Sequence, residues 1–244
     1  MIQYKKQVGF TLIELMLAMA FVGALLVAIA VTTIHIMGTY TKGLTVREVN
    51  QAGRTISEDI QRTIAASAPF DVSGANPMYI TRDGGGRLCS GAYTYAWNYG
   101  TTIELGGTTS THAYNIYTDS SEAIRLVKVS DTGGALCLDA GQQINQAQAK
   151  ELLQVSDRNL AVQDFTVSEG ARDEASRQAI YAITLILGTS NRDNFAVLNA
   201  SNSACLPPKL SESSSETQAS DNEKFCAINK FNIIARAGNR SGSL

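Results

Sequence analysis

From Phe10 to Met37 the chain reads FTLIELMLAMAFVGALLVAIAVTTIHIM, and no lysine or arginine interrupts residues 10–41. A run this long and apolar has few ways to fold. As an α-helix rising about 1.5 Å per residue it spans roughly 40 Å, enough to cross a hydrocarbon core of about 30 Å. A cleaved secretory signal is one alternative, and Ala18-Met19-Ala20 offers it a small-residue site. The run outlasts that reading, because a signal's apolar region is only about 7–15 residues long. A plain single-pass anchor is the other alternative, and it leaves Glu14 unexplained. A carboxylate inside the membrane costs about 2.5–3.5 kcal/mol on insertion scales and usually has a partner. With no cation in the segment, that partner is expected from elsewhere. The polar residues 1–8 carry Lys5 and Lys6, which keeps this end cytoplasmic and puts the rest of the chain outside.

The helical pattern continues past the membrane run. Residues 39–66 are polar overall, but Val46, Val49, Gly53, Ile56, Ile60 and Ile64 recur at spacings of three and four, which is one apolar stripe. Arg47, Glu48, Arg54, Glu58, Asp59 and Arg62 take the other faces and read as solvated charge. Gly23, Gly38, Gly43 and Gly53 are its intrinsic weak points, each costing about 1 kcal/mol relative to alanine. Ser67-Ala68-Pro69 ends the helix, because the residue before proline disfavours helical geometry. A helix from residue 10 to 66 is roughly 85 Å long. Its first half is expected to pack in a membrane or assembly, and its second half to hold a head.

Gly9-Phe10-Thr11-Leu12-Ile13-Glu14-Leu15, behind a short basic leader and ahead of a long apolar helix, resembles the processing motif of type IV prepilins and of the pseudopilins of type II secretion. The resemblance implies that a prepilin peptidase cuts between Gly9 and Phe10 and N-methylates Phe10. It further implies that Glu14 pairs, in an assembled filament, with the new N-terminal amine of a neighbouring subunit. Such a pair in low dielectric is strong only when both members are present. The fold implied is α+β, the pilin fold, with a long N-terminal α-helix packed on an antiparallel β-sheet head. Residues 1–9 are then a leader, 10–37 the transmembrane and filament-core helix, 38–68 its amphipathic continuation, and 69–244 an extracytoplasmic head. The implied partners are the prepilin peptidase, other pilin or pseudopilin subunits, an assembly platform protein with its ATPase, and the membrane before assembly. The implied location is the cytoplasmic (inner) membrane, single-pass, and then an extracellular or periplasmic filament.

Many major pilins carry a helix-kinking proline midway along this segment, whereas the first proline here is Pro69. The large head, the late FTV strand and the terminal FNIIARAGNR faintly resemble larger minor pilins or J-type pseudopilins of filament tips. The expected role is therefore a minor subunit that primes or caps a filament. A main subunit, or a tip adhesin or DNA-capture module, are the alternatives.

From residue 70 the composition turns to Gly, Ser, Thr, Tyr and β-branched residues. Strands are expected at 78–82, 91–97, 112–117, 123–129, 134–138, 160–167, 177–188 and 227–235, and a short helix at 145–154. Residues 83–86 and 131–134 read as turns. The glycines at 84–86 lack the Lys-Ser/Thr ending of a phosphate loop. Residues 199–224 are a solvated, Ser- and Glu-rich loop by composition.

Four cysteines, Cys89, Cys137, Cys205 and Cys226, lack CxxC spacing, so zinc and dithiol redox sites are poorly supported. An even count outside the cytoplasm fits disulfides. Three connectivities are open, of which Cys89–Cys137 with Cys205–Cys226 is preferred, the second bracketing the solvated loop. His35 and His112 are the only histidines, too few for a His-based metal site or a Ser-His-Asp triad. No nucleophile elbow or paired-carboxylate constellation stands out, and His112 beside Tyr114 reads as a surface or sheet residue, so neither an enzyme nor a cofactor is expected. A surface ligand or DNA could meet the head. Lys224, Lys230, Arg236 and Arg240 would touch phosphates, and dispersed solubilising charge is the plain alternative. Tyr93, Tyr95 and Tyr99 could contact sugars or proteins, but their alternation suits sheet packing.

Overall fold

The computed structural model describes residues 11–103, 113–119, 122–139, 143–153, 159–190, 204–205 and 226–238. Helix α1 (Leu12–Ala65) is continuous and takes part in two compact units, residues 1–41 and residues 42–244. In the first unit its apolar side chains are exposed, and it is long and apolar enough to cross a membrane. The chain thus fits a single-pass membrane protein by length and composition.

In the second unit α1 is amphipathic and buries Thr45, Val49, Gly53, Ile56, Ile60, Thr63 and Ile64. Five of the six stripe residues read from the sequence are therefore inside. Val46 is the exception, 42% exposed at the side of the stripe. The helix stops one residue short of the Ser67-Ala68-Pro69 signal, and the Ser67 hydroxyl donates to the Ile64 carbonyl at 2.8 Å.

Two antiparallel sheets follow. The first has the order β1 (Tyr79–Arg82), β2 (Gly85–Cys89), β3 (Tyr93–Asn98), β4 (Leu126–Ser130), β5 (Ala149–Glu151). The second has the order β6 (Leu160–Asp173), β7 (Gln178–Thr189), β8 (Ile228–Ala237). The principal core gathers Ile56, Ile60 and Ile64 of α1, Tyr95, Trp97 and Leu126 of the first sheet, and Phe165, Tyr181, Leu185 and Ile233 of the second. The Trp97 ring stacks on Phe165 at 4.3 Å between centroids. A smaller core lies on Ala96, Val127 and Val129, where Tyr117, Ile124, Leu136 and Ile144 pack. The first sheet is thus apolar on both faces. The second alternates buried and exposed along β7, as a sheet with one face in water does.

Several sequence expectations are corrected. Gly85 and Gly86 are not a turn but the start of β2. A Cβ on Gly85 would lie 2.1 Å from the Trp97 carbonyl, and one on Gly86 would lie 2.4 Å from the Trp97 ring, so close approach demands glycine there. Residues 135–138, expected as strand, form the short helix α3 (Ala135–Leu138). Asp131 sets it up, its carboxylate accepting from the backbone of Ala135 at 3.0 Å and Leu136 at 3.1 Å. The expected helix at 145–154 is a 3-10 turn (Gln146–Gln148) that leads into β5, which pairs with β4. Of the expected strand at 112–117, the described part makes only isolated bridges, Ile116 to Ala123 and Tyr117 to Ile144. A four-residue helix α2 (Gly100–Ile103), not foreseen, follows β3.

Candidate functional site

The stretch that most constrains function is the start of α1. Gly9 and Phe10 lie outside the described residues. Thr11 and Glu14 do not, and they form a reciprocal cap. The Thr11 backbone N–H donates to Glu14 Oε2 at 3.1 Å, the Thr11 hydroxyl donates to the same oxygen at 2.9 Å, and the Glu14 N–H donates to the Thr11 hydroxyl at 3.3 Å. Ser/Thr-x-x-Glu ahead of an apolar run is a capping box, and a carboxylate in the first turn also meets the positive end of the helix dipole. Glu14 therefore has hydrogen-bonding partners within its own helix. Its charge meets no cation among the described residues of the segment.

The rest of the segment suits an apolar solvent. The Thr32 hydroxyl donates to the Ala28 carbonyl at 2.7 Å and the Thr33 hydroxyl to the Ile29 carbonyl at 2.8 Å. Both threonine hydroxyls are thereby satisfied by their own helix, as hydrocarbon requires.

The second half of α1 is fastened to the head by polar as well as apolar contacts. The Tyr95 hydroxyl of β3 donates to Asp59 at 2.7 Å and accepts from the Thr63 hydroxyl at 2.8 Å. Lys128 of β4 pairs with Asp59 at 2.9 Å and donates to Thr63 at 2.6 Å, its ammonium 4.5 Å from the centre of the Tyr93 ring. Burial pushes the Asp59 carboxyl up, but the Tyr95 hydroxyl and Lys128 outweigh it and hold the group below its ordinary value. Burial raises the Tyr95 hydroxyl well above the phenol range. At the other side of α1, Gln61 donates to the Ile234 carbonyl of β8 at 2.9 Å.

A second buried network shapes the loops over the smaller core. Arg87, 3% exposed, donates from Nε to Asn115 at 2.8 Å and from its guanidinium to the Leu136 carbonyl at 2.6 Å. Asn98 donates to the carbonyls of Asn115 at 2.6 Å and Ile124 at 2.8 Å. These groups satisfy irregular backbone that cannot enter a sheet ladder.

Cys89–Cys137 joins β2 to α3, and Cys205–Cys226 lies beside α1, where both cysteines line a cavity with Val46, Val49 and Asn50. Lys230 and Arg236 are exposed on β8, Arg236 bonded to Gln178, while Lys224 and Arg240 lie outside the described residues. His112 lies outside them too. Of the three tyrosines, Tyr93 is exposed, Tyr99 half-buried and Tyr95 fully buried, so Tyr95 serves the core rather than a ligand. Among the described residues no group of His, Cys, Asp and Glu is arranged to hold a metal ion.

The Thr11-x-x-Glu14 spacing is itself a capping signature in the sequence, beside the more conspicuous lone charge of Glu14. The Asp59–Lys128 pair carried no comparable signal. No family model, curated protein or solved structure matches this chain.

Proposed function

We propose that this chain is a filament subunit of the type IV pilin and pseudopilin class, structural rather than catalytic, and that it primes or caps the filament. The observation that carries this reading is the division of α1. Its first part presents an unbroken exposed apolar surface behind Glu14, and its second part is the spine of a β-rich head. A chain built this way has a surface that only lipid or other helices can cover. The Gly9-Phe10 junction ahead of it suits cleavage that would release a cation at Phe10. Glu14 then has two roles in sequence. It caps its own helix through Thr11 in the membrane, and it accepts the amine of a neighbour on assembly. The pilin fold belongs to the same proposal, supported by the α+β order of long helix and antiparallel sheets. So do the remaining partners, namely the prepilin peptidase, sister subunits and an assembly platform with its ATPase. The absence of a proline before Pro69 and the two-sheet head favour a minor over a main subunit.

The test is processing followed by incorporation. Co-expressed with a prepilin peptidase, the chain should lose residues 1–9 and gain an N-methyl group on Phe10, read by intact mass. Gly9→Leu should stay full length, and normal cleavage of that variant would sink the proposal. Glu14→Ala should still be cut but be depleted from sheared filaments.

A further inference from the structure

We propose that the outward side of the second half of α1 docks an acidic helix of a different membrane-anchored subunit, and that its charge order turns away a second copy of the chain. The inference rests on the filament reading above and adds the chemistry of one neighbour. Arg47, Gln51, Arg54, Glu58 and Arg62 are all exposed. At 3.6 residues per turn they fall within an arc of about 80°, opposite the buried Val49, Ile56 and Ile60. At about 1.5 Å per residue, successive arginines stand roughly 10–12 Å apart along the axis. Neither the three arginines nor Glu58 has a hydrogen-bond or ion-pair partner among the described residues. The stripe therefore presents three open guanidinium groups, each shaped to take a carboxylate in two parallel hydrogen bonds.

The pattern selects its occupant. Its spacing is about two helical turns, so a helix lying alongside brings a carboxylate to each arginine at every seventh or eighth residue. Glu58 stands between Arg54 and Arg62, where it repels a phosphate backbone but pairs with a lysine or arginine of a protein. The order along α1 is base, base, acid, base, and its complement is acid, acid, base, acid. A second copy at the same depth in the membrane shows the same order. It sets arginine against arginine at three levels and glutamate against glutamate at the fourth. That is a repulsive element against self-addition, as a subunit that occupies one filament end requires. The apolar run of α1 offers no such choice, because its side chains pack as well against one apolar helix as another. Partner and axial register are left to the charges.

The test uses the full chain in membranes, with prepilin peptidase present. Two differently tagged copies both carry Gln51→Cys, in the middle of the stripe. The four native cysteines are occupied in bridges, so a short bismaleimide reads only the introduced pair. The probe for the neighbour is the chain itself with its stripe inverted by Arg47→Glu, Arg54→Glu, Glu58→Lys and Arg62→Glu. The native order with the inverted order should cross-link about tenfold more than either order with its like, the preference expected of a few exposed ion pairs. High salt should bring the three yields together. Where filaments assemble with their other subunits, the inverted chain should be cut after Gly9 yet depleted from sheared filaments. Trp97 emission checks that each variant is folded. Equal yields from all three pairings at low salt would overturn the proposal, as would normal incorporation of the inverted chain. A labelled DNA duplex that binds the native chain and not the inverted one would overturn it too, by assigning the stripe to a polyanion. Cleavage is scored on the same gel. Unprocessed chain counts against the filament reading, whereas processed chain with equal yields counts against this inference alone.

Discussion

Residues 12–41 and residues 42–65 belong to one uninterrupted helix, yet they meet their surroundings in opposite ways. In the first stretch the large apolar side chains are exposed, Leu12 at 77% and Phe21 at 67%. In the second, Ile56, Ile60 and Ile64 are closed off by both sheets, and Asp59, Gln61 and Thr63 bond to the head. The second stretch is completed by its own chain. The first is completed only by another phase or another molecule, and its polar groups are arranged to make that possible. Thr11 and Glu14 cap each other, and Thr32 and Thr33 turn back to their own carbonyls. One secondary structure thus serves two solvents, and the difference lies in the width of the apolar face.

The contrast is tested most severely by cutting one isoleucine. Ile60→Ala should destabilise the head by about 2–5 kcal/mol, because Ile60 is wholly buried and leaves a cavity. Leu26→Ala, in the exposed stretch, should leave head stability unchanged. Trp97, the only tryptophan and fully buried, reports unfolding in denaturant for both full-length variants in detergent. Equal losses from the two substitutions would break the comparison.

Next in size are the bridges, both confined to the second region. Cys89 and Cys137 are 48 residues apart and Cys205 and Cys226 are 21 apart. In the chain-entropy model, removing them costs about 4 and about 3 kcal/mol respectively. Paired Cys→Ala variants should rank in that order in denaturant, and insertion of the apolar segment into membranes should not respond to either.

How far these regions could be read in advance follows the same division. The helix was legible because its first half is an unbroken apolar run and its second half carries one stripe at spacings of three and four, from which only Val46 departed. Strands β7 and β8 were legible because one face is wet and the pattern alternates, whereas β6 runs on to Asp173, past the expected end at Val167, through an exposed stretch that carries no alternation. The first sheet was harder, because apolar packing on both of its faces erases alternation. Gly85 and Gly86 carried a turn signal while serving the close approach of Trp97. Residues 135–138 have strand-like composition but fold as a helix because Asp131, a few residues earlier, captures their first N–H groups. At the candidate site, Glu14 was conspicuous as a lone charge in an apolar run. The clamp between Asp59 and Lys128 was not, since 69 residues separate the partners and each looks like an ordinary surface charge alone.

Two glycines of α1 sharpen the comparison at a smaller scale, because the same change should act with opposite sign. A Cβ on Gly53 would fall 2.1 Å from the Phe231 ring, whereas one on Gly23 would meet nothing. Gly53→Ala should therefore displace Phe231 and cost about 1–3 kcal/mol of head stability, as overpacking does. Gly23→Ala should strengthen the helix by about 1 kcal/mol without touching the head. Denaturation midpoints read the first change, and helicity of the full chain in detergent reads the second.

The smallest effect concerns the polar clamp and its dependence on pH. Burial raises the Asp59 carboxyl, but the Tyr95 hydroxyl and Lys128 lower it further, so its value in the folded chain lies below the ordinary 3.8. A depressed carboxyl contributes stability that is fully present above its unfolded value and is lost as pH falls through the folded one. Glu151 has the opposite sign. Burial raises it, against the hydrogen bond from Tyr117, so its contribution favours the fold at low pH and fades as pH rises through its folded value. Asp59→Asn should therefore flatten the acid side of the stability profile, and Glu151→Gln should flatten the region above the ordinary Glu value. Because the clamp is open to water on one side, the Asp59 contribution is screened and stays below about 1 kcal/mol. It should shrink further in high salt, unlike the loss from Ile60→Ala, which salt leaves intact. A denaturation series across pH 2–6 at two salt concentrations separates the two. If Asp59→Asn left the acid limb unchanged, the charge of Asp59 would contribute nothing measurable to holding α1 on the head.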